Sequence, residues 1–416
     1  MDEIIIETAY KKALEVLKMN STKHGFSSTT EKYSNYFSVW SRDHSICSIA
    51  VALTDDKELI KTAKTGILLL LKKQLDYGQV PSYIEIENRK VDYGGFGSIT
   101  SVDSNMWVAI AAAVLHKKTK DKRFITNINM VRYARLYRLL KAFDSNNCGL
   151  IEVPKAGDWA DIFNRTYHVL YDECLYYEAL KSLQYLFICG LDRCENEGLR
   201  KKINKKIKWI RKRRAKVKKR INNVFWFTKE NIPSIFEEYM IYDKIEEKEY
   251  GFYQSHLIPF KIHWHKRFES FGNVLAIAVG IANRDKSRKI IRYVKQNKIN
   301  EPFPMRALYP PVYKNEKGWE PIYRIKEQPH TYHNGGIWPV IAGFWIYALM
   351  KKRFSKTALK EINNLAVYLE KNNWHFNEYF NGRTMRAMGR SYQAWSAAGF
   401  VIAYHSVKNN PNIFDY

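Results

Sequence analysis

A double ring of about twelve helices, an (α/α)6 barrel, is the all-α fold this sequence predicts, and three observations carry it. Amphipathic helical periodicity recurs along almost the whole chain. The helices come in pairs joined alternately by short and long links. The long links are rich in Gly, Pro, Tyr, Trp and Asn, and they hold nearly every residue whose chemistry stands out. A helical solenoid would repeat with a fixed sequence period, and none is present.

The periodicity places helices near 3–18, 43–54, 56–75, 103–116, 121–143, 170–192, 197–220, 268–283, 285–298, 336–351, 355–371 and 390–407. Thr54, Asp55 and Asp56 offer N-cap residues ahead of the third, and Glu58 gives it an acidic first turn. Lys120-Asp121 does the same for the fifth, and Ser355 for the eleventh. The long links are 19–42, 76–102, 144–169, 299–335 and 372–389. Segment 221–267 differs, because the runs Val224-Phe225-Trp226-Phe227 and Tyr250-Gly251-Phe252-Tyr253 predict a small β-hairpin insertion. The domain reading is one barrel over residues 1–416 that carries this insertion.

Composition narrows the function classes. A chain of 416 residues with 46% hydrophobic residues buries a large core, which argues against disorder. The longest apolar run, Gly66 to Leu71, ends at Lys72-Lys73, short of a bilayer span. Met1 to Glu7 lacks the basic and apolar regions of a secretion signal, so a cytoplasmic protein is expected. The five cysteines (47, 148, 174, 189, 194) form no C-x-x-C and no paired frame, which predicts free thiols. Asp144-Ser145-Asn146-Asn147-Cys148-Gly149 begins like a calcium loop, but Cys148 and Lys155 break the ligand set. No metal and no organic cofactor is expected.

Chemistry concentrates in the links. Asp161 lies in Gly157-Asp158-Trp159-Ala160-Asp161, and Glu378 in Asn377-Glu378-Tyr379-Phe380. Carboxylates beside aromatic rings suit sugar hydrolysis: the rings pack on apolar sugar faces while one acid protonates the glycosidic oxygen and the other activates water. Trp159 would desolvate a neighbouring carboxyl and raise its pKa, as a general acid requires, which leaves Asp158 and Asp161 both open for that role. Trp40, Arg42 and Asp43 set a charged pair beside a stacking ring, and Asp103 either joins them or, like Ser104, caps the fourth helix. In Pro329-His330-Thr331-Tyr332-His333-Asn334-Gly335-Gly336-Ile337-Trp338-Pro339, the glycines permit close backbone approach. His333, Asn334 and Trp338 there offer hydrogen bonds and a ring face. His330 and His333 lack a third ligand for zinc. No phosphate loop, dinucleotide fingerprint or nucleophile elbow occurs. A sugar isomerase or lyase on the same barrel, with His333 or His44 as base, is an alternative chemistry.

The net charge of +26 is the bulk anomaly. Much of it falls in residues 200–220, where Leu199, Ile203, Ile207, Ile210, Val217 and Ile221 recur at helical intervals. That pattern reads as an outer helix with an apolar inner stripe and a solvated basic back. The other reading is a polyanion- or nucleic-acid-binding helical protein acting through this helix. The expected partner is a small carbohydrate, with no membrane, and nucleic acid is not expected despite the charge.

The order of segments resembles a known group. Trp40-Ser41-Arg42-Asp43, Val102-Asp103-Ser104-x-x-Trp107, Asp161, His333-Asn334-Gly335-Gly336-x-Trp338-Pro339, and Glu378-Tyr379 followed by Gln393-x-Trp395-Ser396-Ala397-x-Gly399 resemble the alkaline/neutral invertases. They are similar also to clan relatives: mannosylglycerate hydrolases, processing α-glucosidases, trehalases and the glucosidase domain of glycogen debranching enzymes. The resemblance spans about residues 33–405. It implies an (α/α)6 barrel and an inverting, exo-acting glycosidase that cleaves an α-glucoside or sucrose-like bond. By position Asp161 matches the acid and Glu378 the base, with Asp158 the alternative acid. Trp40, Arg42, Asp43, Asp103, His333, Asn334 and Trp338 fall where these families line the sugar pocket. Asp158, Trp159, Gln393 and Trp395 complete the candidate sugar-contacting set. Around the acid this chain reads Trp-Ala-Asp-Ile-Phe-Asn-Arg, where plant neutral invertases have an Ile-Asp-Arg-Arg-Met-Gly-like stretch, so the resemblance carries hydrolysis further than it carries sucrose.

Overall fold

Six helices are buried on nearly every face, five of them because they are mostly apolar all round and the first, Ser41–Val51, although it carries Arg42, Asp43, His44 and three serines. They are α2 (Ser41–Val51), α4 (Val102–Thr119), α6 (Leu170–Leu191), α9 (Ser270–Ala278), α12 (Pro339–Lys351) and α14 (Ala394–Asn409). In the computed structural model, which describes residues 3–32, 35–163 and 165–416, they pack side by side in a closed ring, α2–α4–α6–α9–α12–α14 and back to α2. In α4 every residue from Met106 to Leu115 is buried, because each face meets a neighbour within the ring or the layer outside it.

The outer layer is made of amphipathic helices: α1 (Glu3–Met19), α3 (Lys57–Lys72), α5 (Asn127–Ala142), α7 (Glu197–Val224), α10 (Arg284–Gln296) and α13 (Ser355–Lys371). Each turns one stripe inward and charges outward. In α10 only Ser287, Ile290, Ile291 and Val294 are buried. Local capping follows the side chains at hand. Asp56 accepts from the backbone N–H of Glu58 and Leu59 to start α3. Asp121 caps a single 3-10 turn, Lys122–Ile125, and Thr126 then caps α5, so this helix starts later than the spacing predicts. Ser355 is the first residue of α13 and makes no cap, the N-cap position being Phe354.

Two glycines let the inner ring close. A Cβ at Gly343 of α12 would lie 2.2 Å from the Gly399 carbonyl of α14, so the two backbones touch where side chains would hold them apart. Glycine inside a helix costs about 0.5–1 kcal/mol relative to alanine, and the close approach offsets it.

Alternating inner and outer helices makes all six inner helices begin at one end, where the long links gather. There the links are stitched together by short antiparallel pairings. Ser38–Trp40 ahead of α2 pairs with Tyr83–Glu85, and His168–Val169 ahead of α6 pairs with His256–Leu257. Phe268–Glu269 ahead of α9 pairs with Leu308–Tyr309, and Ile337 ahead of α12 bridges Phe380. Two further short helices lie in the links, α8 (Ile232–Glu238) and α11 (Tyr323–Lys326). In segment 221–267 the two aromatic runs meet antiparallel at one bridge, Trp226 opposite Tyr253, and the chain between them forms α8. Among the described residues no helix is long and apolar enough to cross a membrane. The five cysteines are free thiols.

Candidate active site

The collar of links encloses a cavity of about 440 Å³. Asp161, Glu378, Trp40, Arg42, Asp43, Trp159, His333, Trp338, Gln393 and Trp395 all line it. Residues far apart in sequence meet here because some sit at or just before the start of an inner helix and the others, Trp159, Asp161, His333 and Glu378, lie in the links that lead into those starts. Arg42 and Asp43 are in the first turn of α2, Trp338 precedes α12, and Gln393 is the N-cap residue of α14. Inner-helix N-termini, with their unpaired N–H groups, form this end of the barrel and favour negative charge there.

The two carboxyl groups are held differently. Glu378 Oε1 accepts from the Tyr36 hydroxyl at 3.2 Å, and Oε2 from the Arg390 backbone N–H at 3.4 Å. Its backbone N–H donates to the Arg390 carbonyl at 2.8 Å, which fixes the chain on either side of Gly389. Asp161 Oδ1 is buried and has no hydrogen-bond partner among the described residues. Burial raises both groups, Asp161 to about 6 and Glu378 to about 7. Arg42 and Lys326 hold Asp161 down against that rise, while Asp158 and Asp103 add to it. The Arg390 N–H, Lys326 and Tyr36 hold Glu378 down.

Aromatic rings build the floor. Trp159 meets His333 edge-on at 4.7 Å and Trp338 edge-on at 5.3 Å, while His333 and Trp338 stack at 5.3 Å. Trp395 stands edge-on to Trp338 at 5.6 Å, and Trp40 leans on Tyr83 at 4.5 Å near the mouth. On this wall Trp159 Nε1, Trp395 Nε1 and Gln393 Oε1 are buried with no hydrogen-bond partner among the described residues. Buried polar groups are nearly always paired, so donors and an acceptor left open between ring faces fit a polyhydroxylated ligand.

Three candidates stand behind the wall instead of on it. Asp103 is buried in the first turn of α4, where Oδ2 binds Arg42 Nη1 at 2.9 Å and accepts from the Tyr171 hydroxyl at 3.0 Å. It neither caps α4 nor faces the cavity; it aims Arg42. Asp158 binds the Arg165 guanidinium at 2.7 Å and accepts from the Ala160 N–H at 2.7 Å, which shapes the turn that presents Asp161. Asn334 spends its amide on backbone: Nδ2 donates to the Val312 and Glu327 carbonyls, and Oδ1 accepts from the Val312 N–H. His44 is also internal. It accepts from the Phe26 N–H at 3.0 Å, and burial pushes it down to about 4.

Sequence reasoning passed over Tyr36, Tyr332, Lys326 and Arg390, all on the cavity wall, and Glu327, buried behind His333. Tyr36, Tyr332 and Lys326 belong to two long links already singled out as functional, and Arg390 follows a third, so link membership was a usable signal. Glu327 shares the 299–335 link, but a Glu one residue past Lys326 reads as solvated until the fold buries it.

Residues 21–411 match the alkaline and neutral invertase family. The chain belongs to that family of glycoside hydrolases. Alkaline/neutral invertase C, mitochondrial, from Arabidopsis thaliana is 23% identical over 346 residues; the match takes in 75% of this chain, which spans only 49% of that protein. Alkaline/neutral invertase CINV1 from the same plant is 24% identical over 431 residues, covering 90% of this chain and 74% of that protein. In structure, the mannosylglycerate hydrolase from Thermus thermophilus in complex with glucose matches with a TM-score of 0.64 at 14% identity. That match covers 95% of this chain and 99% of the other, a likeness of fold.

Proposed function

We propose that this chain is an exo-acting, inverting glycosidase that cleaves an α-glucosidic bond in a small α-glucoside or sucrose-like substrate. Asp161 acts as the acid and Glu378 as the base. The observation that carries the reading is the cavity itself: two carboxyls of raised pKa, Asp161 and Glu378, share it with Trp159, Trp338 and Trp395. The family's name and the fold neighbour support the sugar class.

Hydrogen bonding supports the division of roles. Glu378 accepts from Tyr36 and from the Arg390 N–H, contacts that persist when it is ionised, as a base must be. Among the described residues Asp161 Oδ1 has no hydrogen-bond partner, which leaves its proton free to meet a glycosidic oxygen. Before substrate binds, Glu378, at about 7, holds its proton slightly more firmly than Asp161, at about 6. That gap is about 1.4 kcal/mol, no more than one substrate hydrogen bond to a charged group supplies, so a bound sugar can invert it. In the reaction the Asp161 proton passes to the leaving oxygen as the C–O bond breaks. Glu378 takes a proton from the water that attacks the anomeric carbon from the opposite face, so the product carries inverted configuration.

The test is a disaccharide panel with the product anomer followed by NMR. The reading expects hydrolysis of an α-glucoside with release of the β-anomer first. Release of the α-anomer would exclude inversion, and no hydrolysis of any α-glycoside would exclude the substrate class.

A further inference from the structure

Helix α7 carries a charge that the glycosidase reading leaves unused. Half of its residues are Lys or Arg, against a single acid, Glu197. Its apolar stripe, Ile203, Ile210, Val217 and Ile221, is turned inward against the barrel. The structure adds what the sequence does not contain: two recesses lined by cations, one against the first half of this helix and one on the neighbouring α10 and α12.

The first is a groove of about 270 Å³ between α5 and α7. Arg138, Lys141, Lys202, Lys205 and Lys206 line it around Tyr137 and Trp209, with no acid among the lining residues. Trp209 is 53% exposed, with the Lys141 and Lys205 ammonium groups 5.7 and 5.8 Å from its ring. The second is a cavity of about 550 Å³ formed by the start of α10 and the end of α12, lined by Arg284, Arg288, Lys351, Lys352 and Arg353, again with no acid. Two of these are engaged with the backbone, since Lys351 donates to the Ala278 carbonyl at the end of α9 and Lys352 to the Ala282 carbonyl in the turn that follows. Arg284, Arg288 and Arg353 have no ion-pair partner among the described residues. Lys218 of α7 donates to the Gly280 carbonyl at 2.7 Å, which holds its ammonium group near Lys352 of that cavity. Burial and then Arg214 pull Lys218 down, and burial and then Lys218 pull Lys352 down, so the cations along this line repel one another. At the helical rise, Lys206 and Lys218 stand about 18 Å apart.

We propose that α7 and the two recesses it connects form a track for a single-stranded nucleic acid, with phosphates on the lysines and arginines and a base stacked on Trp209. A basic groove combined with an accessible aromatic ring is what such strands require, and stacking tolerates any base because every base has a π-face. Lys141 and Lys205 are flexible side chains that move aside for a base. An anionic bilayer fits less well: the apolar face of α7 is spent on the barrel, and the cations sit in recesses that a flat surface does not enter. The catalytic cavity lies at the N-terminal end of α12 and the second recess at its C-terminal end, so a bound strand leaves the sugar site open.

The experiment is fluorescence anisotropy of labelled oligouridylate, about 16 and about 4 nucleotides long, against the full chain. Salt is varied between about 50 and about 200 mM, with circular dichroism and sugar hydrolysis measured on every variant. Four phosphate contacts should lower affinity roughly 50-fold over that range, from a slope of about −0.7 per contact. The pair Lys202→Glu and Lys205→Glu should weaken both lengths at least tenfold. Trp209→Ala should weaken both at least fivefold at fixed salt. The pair Arg284→Glu and Arg288→Glu should weaken the longer strand and leave the shorter unchanged. No binding at the lowest salt overturns the proposal. Full affinity in Trp209→Ala, or equal competition by inorganic polyphosphate or phosphatidylserine vesicles, reduces the face to unspecific electrostatics and overturns it as well.

Discussion

The Glu327 carboxyl lies 2.6 Å from His333 Nδ1, and both side chains are buried, with Glu327 Oε2 also accepting the Asn334 N–H at 3.0 Å. Burial raises Glu327 well above its ordinary value, Asp161 adds to the rise, and burial holds His333 well below its own. The proton between them therefore rests on the carboxyl, Nδ1 accepts it, and Nε2–H is the remaining polar group of a ring clamped between Trp159 and Trp338. Gln at 327 reproduces this pattern, its amide donating to Nδ1 and its carbonyl accepting from Asn334. Glu327→Gln is thus expected to keep kcat/KM within about threefold. Glu327→Ala strands two buried polar groups at about 1–3 kcal/mol each and should lose roughly 10–100-fold. If Gln fares as badly as Ala in steady-state kinetics, Glu327 is ionised and the proton belongs to His333.

Activity should follow a narrow bell in pH. Turnover needs one carboxyl protonated and the other ionised, and burial has brought the pair to about 6 and about 7. The productive form therefore peaks between those values, and kcat/KM should fall about tenfold per unit on either side, with limbs that belong to the pair and not to one residue. Asp161→Asn and Glu378→Gln should each cost about 10²–10⁴ in kcat. A profile flat from about pH 5 to about pH 8 would remove this pair from catalysis.

The same shifts act on stability with a definite sign. A carboxyl whose folded pKa lies above its unfolded value binds more protons in the native state. Its contribution is fully present below the unfolded pKa and is lost as pH rises through the folded one. For Glu378 that window runs from the ordinary 4.5 up to about 7. Replacing it with neutral Gln removes the loss. Glu378→Gln should therefore melt close to the parent at about pH 4 and above it at about pH 8, by an amount on the order of 1–3 kcal/mol. A mutant that melts lower than the parent at both pH values would contradict the shift.

Much of this architecture was legible in the sequence because helical periodicity and burial are local signals. The long links announce themselves by their Gly, Pro and aromatic content, whereas the inner helices, read as amphipathic with the rest, prove to be buried on nearly every face. Trp40, Arg42, Trp338 and Trp395 could be placed in the pocket because they flank helix starts, and the barrel brings those starts to one rim. What failed was the choice between facing the cavity and standing one layer behind it. Asp103 and Asp158 lie within three residues of wall or helix-start positions, yet each turns to a guanidinium, Arg42 or Arg165. Asn334 follows His333 directly, but its amide is consumed by Val312, a pairing across 22 residues that no local pattern encodes. Link membership marked Tyr36 and Glu327 but could not give their roles, because their partners, Glu378 and His333, are supplied by the fold.

Two glycines separate damage to the site from damage to the barrel. Gly389 has φ +70°, and a Cβ there would lie 2.4 Å from Glu378 Oε2 and 2.6 Å from its Cβ, closer than any tolerated contact. The neighbour that must yield is the proposed base itself. Gly389→Ala should thus cost at least tenfold in kcat, while the strain of a left-handed alanine, about 1–2 kcal/mol, lowers Tm only modestly. Gly343 is the reverse case: a Cβ there would strike the Gly399 backbone at 2.2 Å, in the α12–α14 contact that closes the inner ring. Backbone cannot swing aside as a side chain can, so Gly343→Ala should cost about 1–3 kcal/mol or more and lower Tm clearly. The surviving folded fraction should keep a near-parental kcat. Calorimetry paired with active-site-normalised kinetics checks both. Equal losses of Tm in the two variants, with kcat intact at Gly389→Ala, would show that Glu378 does not depend on the backbone beside it.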